Sequence, residues 1–266
     1  MTKAQPPAGA AEAETAEADA AKAAAGPLSA TGRTRHRRLR AQGRRERAEL
    51  FAVLRAGFIA HLGVLHDGAP MVVPTVYGFD ERHLYVHGSV ASNSLAAGGS
   101  LACETITLVD GLVLARSVFE HAVNYRSAMI YARPRIVSDP AEKLAGLRCV
   151  SEHLAPGQWD YARRPSRKEL AATRLLALPF GEASVKIRSG PPDDGDSPDA
   201  ALGLWAGELP LRARWQQPVP DPALPAGLQA PAHIKAMAGR SAFPPPADPQ
   251  ASDPHAIAAA GHGDGR

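Results

Sequence analysis

Two short stretches concentrate side chains able to hold a ligand. The first is His87-Gly88-Ser89-Val90-Ala91-Ser92-Asn93-Ser94, where a strand gives way to a short helix. Small residues let a backbone approach a ligand closely, and free N–H groups at a helix start attract an anion. The hydroxyls of Ser89, Ser92 and Ser94 and the amide of Asn93 add donors. The stretch predicts a phosphate cradle; the competing reading is a capped helix with nothing bound. The second stretch, Asn124-Tyr125-Arg126-Ser127, opens the longest predicted strand. Alternation puts Asn124 with Arg126 on one face and Tyr125 with Ser127 on the other. An arginine there can meet a phosphate or carboxylate bidentately. A solvated strand end with a surface arginine is the alternative.

Other candidates are weaker. His61, His66, His83, His87 and His121 raise a metal or a haem iron, but no HxH or HExxH spacing occurs among them, and the one HxxxH, His83 to His87, falls on a predicted strand rather than a helix. His83 and His87 share a strand face yet stand roughly 13 Å apart along it, too far to share one metal. No metal site is expected. The run RTRHRRLRAQGRRER, from Arg33 to Arg47, is strongly basic. It contains no aromatic residue to stack on bases, so it reads as a solvated arm, an electrostatic patch or a neighbour of a cofactor phosphate. A serine nucleophile elbow, a P-loop and a GxGxxG are all missing, which removes the usual support for hydrolase, NTPase and Rossmann readings.

The elements that must position these residues follow from pattern. Arg44 to Gly57 reads as a helix, with Leu50, Val53 and Leu54 at helical spacing. Strands follow at 58–65, 71–77 and 83–87, the first two joined by the Asp67-Gly68 turn. Further strands are predicted at 101–108, 112–116 (joined by an Asp110-Gly111 hairpin) and 124–137. Asp139-Pro140-Ala141-Glu142 and Ser166-Arg167-Lys168-Glu169 each carry a helix-start signature. Strands at 175–178 and 183–187 close the domain. Hairpin strands with few helices spell an antiparallel barrel with flanking helices, a mainly β fold, and argue against a doubly wound sheet.

Composition sets the limits of that domain. Of 266 residues, 45% are hydrophobic but only 5% aromatic, with 24 Gly and 24 Pro, so low-complexity segments account for part of the length. Residues 1–30 read as a disordered Ala-rich leader and 31–190 as the barrel with its basic arm. Residues 191–217 read as a linker and packed strap (LGLWAGELPL, Leu202 to Leu211), and 218–266 as a disordered tail. The formal charge of +3 and the missing aromatics argue against nucleic acid as a partner. Cys103 and Cys149 have no CxxC spacing and read as buried thiols. No apolar run approaches the ~20 residues of a membrane span, and the acidic start is no secretory signal. A cytoplasmic protein is expected.

The stretches PTVYGFDERHLYVHGSVASNSL (Pro74 to Leu95) and CETITLVDGLVLARSVFEHAVNYRSAMIYARPRIV (Cys103 to Val137) resemble the pyridoxamine 5′-phosphate oxidase-like flavoproteins. The branch that includes nitroimidazole-resistance-type proteins is the most similar. The resemblance covers about residues 31 to 211. It implies a split β-barrel that pairs into a homodimer with FMN at the interface. It implies ring contacts from Val73, Pro74, Thr75 and Tyr77. It further implies a phosphate site at His87, Gly88, Ser89, Ser92 and Asn93, and ribityl and ring contacts from Asn124, Tyr125, Arg126 and Ser127. Tyr77, His87 and Tyr125 are the ring-side candidates. Two departures matter. Related sequences commonly carry a basic residue where Asn93 stands, so Arg126 or an arm arginine is expected to supply the charge. The chain also lacks the basic C-terminal strand of the true oxidases, which argues against their substrate. The implied activity is that of an FMN-dependent oxidoreductase acting on a small molecule, with NAD(P)H as a candidate donor. A haem- or deazaflavin-binding barrel and a non-catalytic flavin sensor are the alternatives.

Overall fold

The computed structural model describes residues 27–28, 31–37, 40–96 and 98–244. Most of the expected leader, 1–26, and the end of the tail, 245–266, lie outside them. One antiparallel sheet of ten strands curls into a split barrel. In chain order it begins with β1 (Gly43–Arg44), α1 (Arg47–Ala56), β2 (Ile59–His66), β3 (Ala69–Phe79) and β4 (His83–Ser89). Next come β5 (Ala102–Leu114), β6 (Ala122–Ala132), β7 (Arg135–Ile136), α2 (Pro140–Leu154), α3 (Gln158–Tyr161) and α4 (Arg167–Ala172). The chain continues with β8 (Thr173–Pro179), β9 (Glu182–Arg188), β10 (Gly207–Pro210) and α5 (Ala232–Lys235). The spatial order is β1-β9-β6-β5-β2-β3-β4-β8-β7, with β10 paired to β5.

Local chemistry explains the frame. Asp67 (φ 50°) and Gly68 (φ 77°) make the β2–β3 turn, where both residues must adopt positive φ. Asp139 caps α2 by accepting from the Glu142 N–H, and Ser166 with Glu169 forms a full capping box on α4. The barrel interior gathers Leu50, Val53 and Leu54 of α1 with Leu62, Val86, Ile106, Ile130, Leu176 and Val185 of the strands. Burial of this apolar set is the main stabilising term.

Four expectations are corrected. The Asp110-Gly111 pair is no hairpin turn: β5 runs unbroken for 13 residues, and the register slips by one between Val109 and Gly111. The extra residue is Asp110, whose carboxylate accepts from Arg126 across the ladder. Gly111 passes beneath β10, where an added Cβ would come within 2.7 Å of the Leu209 carbonyl oxygen. Asp-Gly therefore serves a β-bulge. The strand expected over 124–137 is two, β6 and β7, parted at Arg133-Pro134. Proline there cannot donate to a ladder.

The strap is paired but not packed. Its backbone joins β5 in register from Gly207↔Leu114 to Pro210↔Gly111, while Trp205, Leu209 and Leu211 remain 69%, 58% and 56% exposed. The expected tail also holds structure as far as Pro244. Trp215 N–H donates to the Arg240 carbonyl and Gly239 N–H to that of Trp215, while Phe243 stacks on Phe58 with ring centroids 5.4 Å apart. Ring stacking and backbone pairing hold this segment despite its proline content.

Candidate functional site

Register aligns residues into rows across the outer face of the sheet. Pro74 on β3 lies opposite His61 on β2, His61 opposite Thr105 on β5, Thr105 opposite Met129 on β6, and Met129 opposite Ser184 on β9. The next row on one side joins Thr107, Ser127 and Lys186; on the other it joins Val72, Gly63, Cys103 and Tyr131. Tyr125 and Val109 extend the face further. Most of these side chains are half-buried or exposed, so the face is an accessible, hydroxyl-rich surface with one imidazole and one ammonium. The Lys186 ammonium sits 5.7 Å from the Tyr125 ring centroid. Burial pushes the Cys103 thiol up, keeping it protonated, and Thr105 Oγ1 is 3.7 Å from its sulfur.

Of the residues expected to hold a cofactor, Pro74, Tyr125 and Ser127 come together on this face. Val73 points inward and packs on the barrel core. Thr75 is half-buried, and its hydroxyl donates to the Val76 carbonyl at 3.1 Å.

Tyr77 is corrected from a ring-side residue to a core residue. It is fully buried and its hydroxyl donates to the Leu54 carbonyl at 2.7 Å, tying α1 to the sheet. Burial raises its pKa far above the ordinary tyrosine value.

Asn124 and Arg126 are likewise committed inside the protein. Asn124 Nδ2 donates to Glu208 Oε2 at 2.7 Å and its Oδ1 accepts from Arg188 at 2.6 Å. Arg126, 3% exposed, donates from Nε and Nη2 to the two Asp110 oxygens and from Nη1 to the Pro244 carbonyl. Its charge is neutralised by Asp110, so Arg126 does not replace the basic residue missing at Asn93.

The turn after β4 is tighter than expected. The helix at its end is a single 3-10 turn, Asn93–Leu95. Gly88 lets Leu95 pack onto β4, where an added Cβ would come within 2.7 Å of Leu95 Cδ1. The turn consumes its own donors: Ala91 N–H donates to Ser89 Oγ, Ser92 N–H to the Ser89 carbonyl, and Leu95 N–H to that of Ser92. Ser92 and Ser94 share a hydroxyl–hydroxyl bond of 2.9 Å, and Asn93 is exposed. Half-buried His87 keeps one buried ring nitrogen, Nδ1, without a hydrogen-bond partner. Burial lowers its pKa, so the ring is neutral near neutral pH.

One residue was missed. Arg174 stands directly opposite Gly88 on β8 and is half-buried. Pairing between strands so far apart in sequence leaves no local signal. His61 is one of the five histidines that the sequence raises for a metal or haem iron. Its place in the hydroxyl row follows from strand register, which sequence pattern does not give. Among the described residues no cluster of His, Cys, Asp and Glu could hold a metal ion.

The chain matches the pyridoxamine 5′-phosphate oxidase family over residues 46–187, more than half its length. The chain belongs to this family. Two solved structures extend the likeness beyond the matched span. The flavocytochrome Anf3 from Azotobacter vinelandii is 36% identical, with a TM-score of 0.75, covering 79% of this chain and 99% of its own. The FAD and haem binding protein from Mycobacterium smegmatis is 34% identical, with a TM-score of 0.72, covering 76% of this chain and 100% of its own. No curated protein sequence matches the chain. The family's split barrel is thus present, and among the described residues no helix is long and apolar enough to cross a membrane.

Proposed function

We propose that the chain is a flavin-binding redox protein of this family that also takes a haem. The observation that carries the reading is the 36% identity, over most of both chains, to a protein named as a flavocytochrome. A second relative at 34% is named for both FAD and haem, so the dinucleotide is preferred here to the FMN expected from sequence.

The residues present suit a flavin. Thr105, Thr107 and Ser127 offer hydroxyls along an open sheet face, and Lys186 adds a positive charge. His87 Nδ1 is a buried polar atom lacking a partner, the kind of group a ligand satisfies. For haem, His61 is exposed on the same face and its ring makes no hydrogen bond among the described residues. Of the other described histidines, His36, His153 and His233 are engaged by protein atoms through Nε2 and His121 through Nδ1, His66 and His83 face Asp67 and Asp80, and His87 is half-buried and already assigned to the flavin. His61 is accordingly the proposed iron ligand. A bound flavin and haem supply hydride and single-electron transfer; the protein binds and orients them. Oxidation of a small molecule or a reduced nicotinamide dinucleotide is the proposed reaction class. The exposed apolar strap supports a homodimer.

The test is an absorption spectrum of the purified full chain, followed by haemin titration of wild type and His61→Ala. A flavin band, and a Soret shift lost in the variant, are expected. A Soret shift unchanged in His61→Ala removes His61 as ligand; no shift in wild type removes haem.

A further inference from the structure

A cavity of about 330 Å³ opens between the arginine arm and β9. That volume lies within the range of small-molecule sites, roughly 300–1,000 Å³. Arg35, Arg40, Arg44 and Arg45 line it with His36 and Ser184, and among the described residues no carboxylate does. The arm is fixed in place. Arg33 bonds Glu182 from Nε at 3.0 Å and Nη2 at 2.6 Å, and His36 Nε2 lies 3.1 Å from the Val185 carbonyl oxygen. Arg44 is also spoken for, pairing with Glu49 at 3.1 Å and donating to the Ala41 carbonyl at 2.6 Å.

The other three arginines are not. The side chains of Arg35, Arg40 and Arg45 make no hydrogen bond or ion pair among the described residues. Three exposed arginines thus line one concavity, and among the described residues none of them is paired with an anion. Such an arrangement attracts a compact polyanion, and arginine recognises phosphate oxygens in bidentate fashion. Among the described residues no tyrosine, tryptophan or phenylalanine lines the cavity to stack a base, and a concavity of this size takes a group rather than a nucleic-acid strand.

Position narrows the ligand. Ser184 lies in the cavity wall and also ends the row Met129–Thr105–His61–Pro74 of the open face. A ligand seated among the arginines reaches that face across one strand. We propose that this cavity binds the pyrophosphate group of a dinucleotide. Two sources share this chemistry: the flavin dinucleotide itself or a nicotinamide dinucleotide donor. Only the first source rests on the flavin reading.

The test is isothermal titration of the full chain, first freed of any bound flavin, with inorganic pyrophosphate. Wild type is compared with Arg35→Ala/Arg40→Ala/Arg45→Ala and with the matching triple lysine variant. Binding at least tenfold weaker in the alanine variant, and largely kept in the lysine variant, is expected. Circular dichroism checks that both variants fold; a misfolded alanine variant is replaced by the three single substitutions, each expected to weaken binding. Loading with FAD but not FMN abolishes pyrophosphate binding if the flavin is the occupant. A reduced nicotinamide dinucleotide competes if it is the occupant. No binding to wild type, equal binding to the alanine variants, or competition by neither dinucleotide overturns the proposal. Flavin content is read from absorbance of each preparation before the flavin is removed. A yellow protein with arginine-independent binding loses the pocket and keeps the flavin. A colourless protein with arginine-dependent binding displaced by the nicotinamide dinucleotide loses the flavin and keeps the pocket.

Discussion

Arg126 grips Asp110 with both arms of its guanidinium, Nε and Nη2 each 2.8 Å from a carboxylate oxygen. The pair joins the bulge of β5 to β6, and the third nitrogen holds the Pro244 carbonyl at 2.7 Å. One ion pair therefore fixes the bulge, the neighbouring strand and the end of the C-terminal segment. Removing one partner of a fully buried pair costs about 3–5 kcal/mol; Asp110 is 23% exposed, so the cost of losing Arg126 falls below that range. Arg126→Ala is expected to lower the urea midpoint accordingly, and Arg126→Lys to recover only part, since lysine cannot make the paired contact. Pyrophosphate binding at the arm pocket is expected to stay unchanged in folded Arg126→Lys. A stability unaffected by Arg126→Ala would show that the pair carries no structural role.

Glu104 gives stability an unusual pH dependence. Its carboxylate is fully buried between Leu62 and Ile130, and neither oxygen has a hydrogen-bond partner. Burial pushes its pKa up from 4.5 to about 8. The folded chain then keeps a proton that the unfolded chain loses near pH 4.5. The contribution of the neutral carboxyl is full below that pH and is lost as pH rises towards about 8, by up to about 1.4 kcal/mol per pH unit. Denaturation of wild type and Glu104→Gln, each at about pH 5 and about pH 8, isolates the effect. The wild type is expected to lose more stability across this range than the variant. Equal losses would place no buried proton on Glu104.

The strap predicts assembly. Trp205, Leu209 and Leu211, in and next to β10, are exposed, as is Phe119 beyond the end of β5, at 90%. Apolar surface of this kind marks an interaction site. Sedimentation is expected to find a dimer, and Leu209→Asp/Leu211→Asp to give monomers that remain folded. A wild-type monomer at all concentrations contradicts this.

Local signals in the sequence made most elements legible. Asp67-Gly68 named its turn, Asp139 and Ser166 named their helices, and the apolar stripe of Leu50, Val53 and Leu54 named α1. The misreading of Asp110-Gly111 shows the limit. The same dipeptide suits a hairpin turn or a bulge, and the choice was made by Arg126 from another strand. The candidate site was legible in part for the same reason. Pro74, Tyr125 and Ser127 alternate onto the open face as strand periodicity requires, but His61, Arg174 and the arm cavity depend on which strands lie side by side. Tyr77 misled because an aromatic with a hydroxyl suits a ligand or a core equally. Only the nearby Leu54 carbonyl decides between them.

The central claim is that the chain binds a flavin dinucleotide. Its most direct test is to denature the purified full chain and identify the released cofactor by chromatography and mass. The account predicts FAD in about equal amount to the protein chain. A colourless protein that takes up no FAD on titration, or one that releases FMN alone, contradicts it.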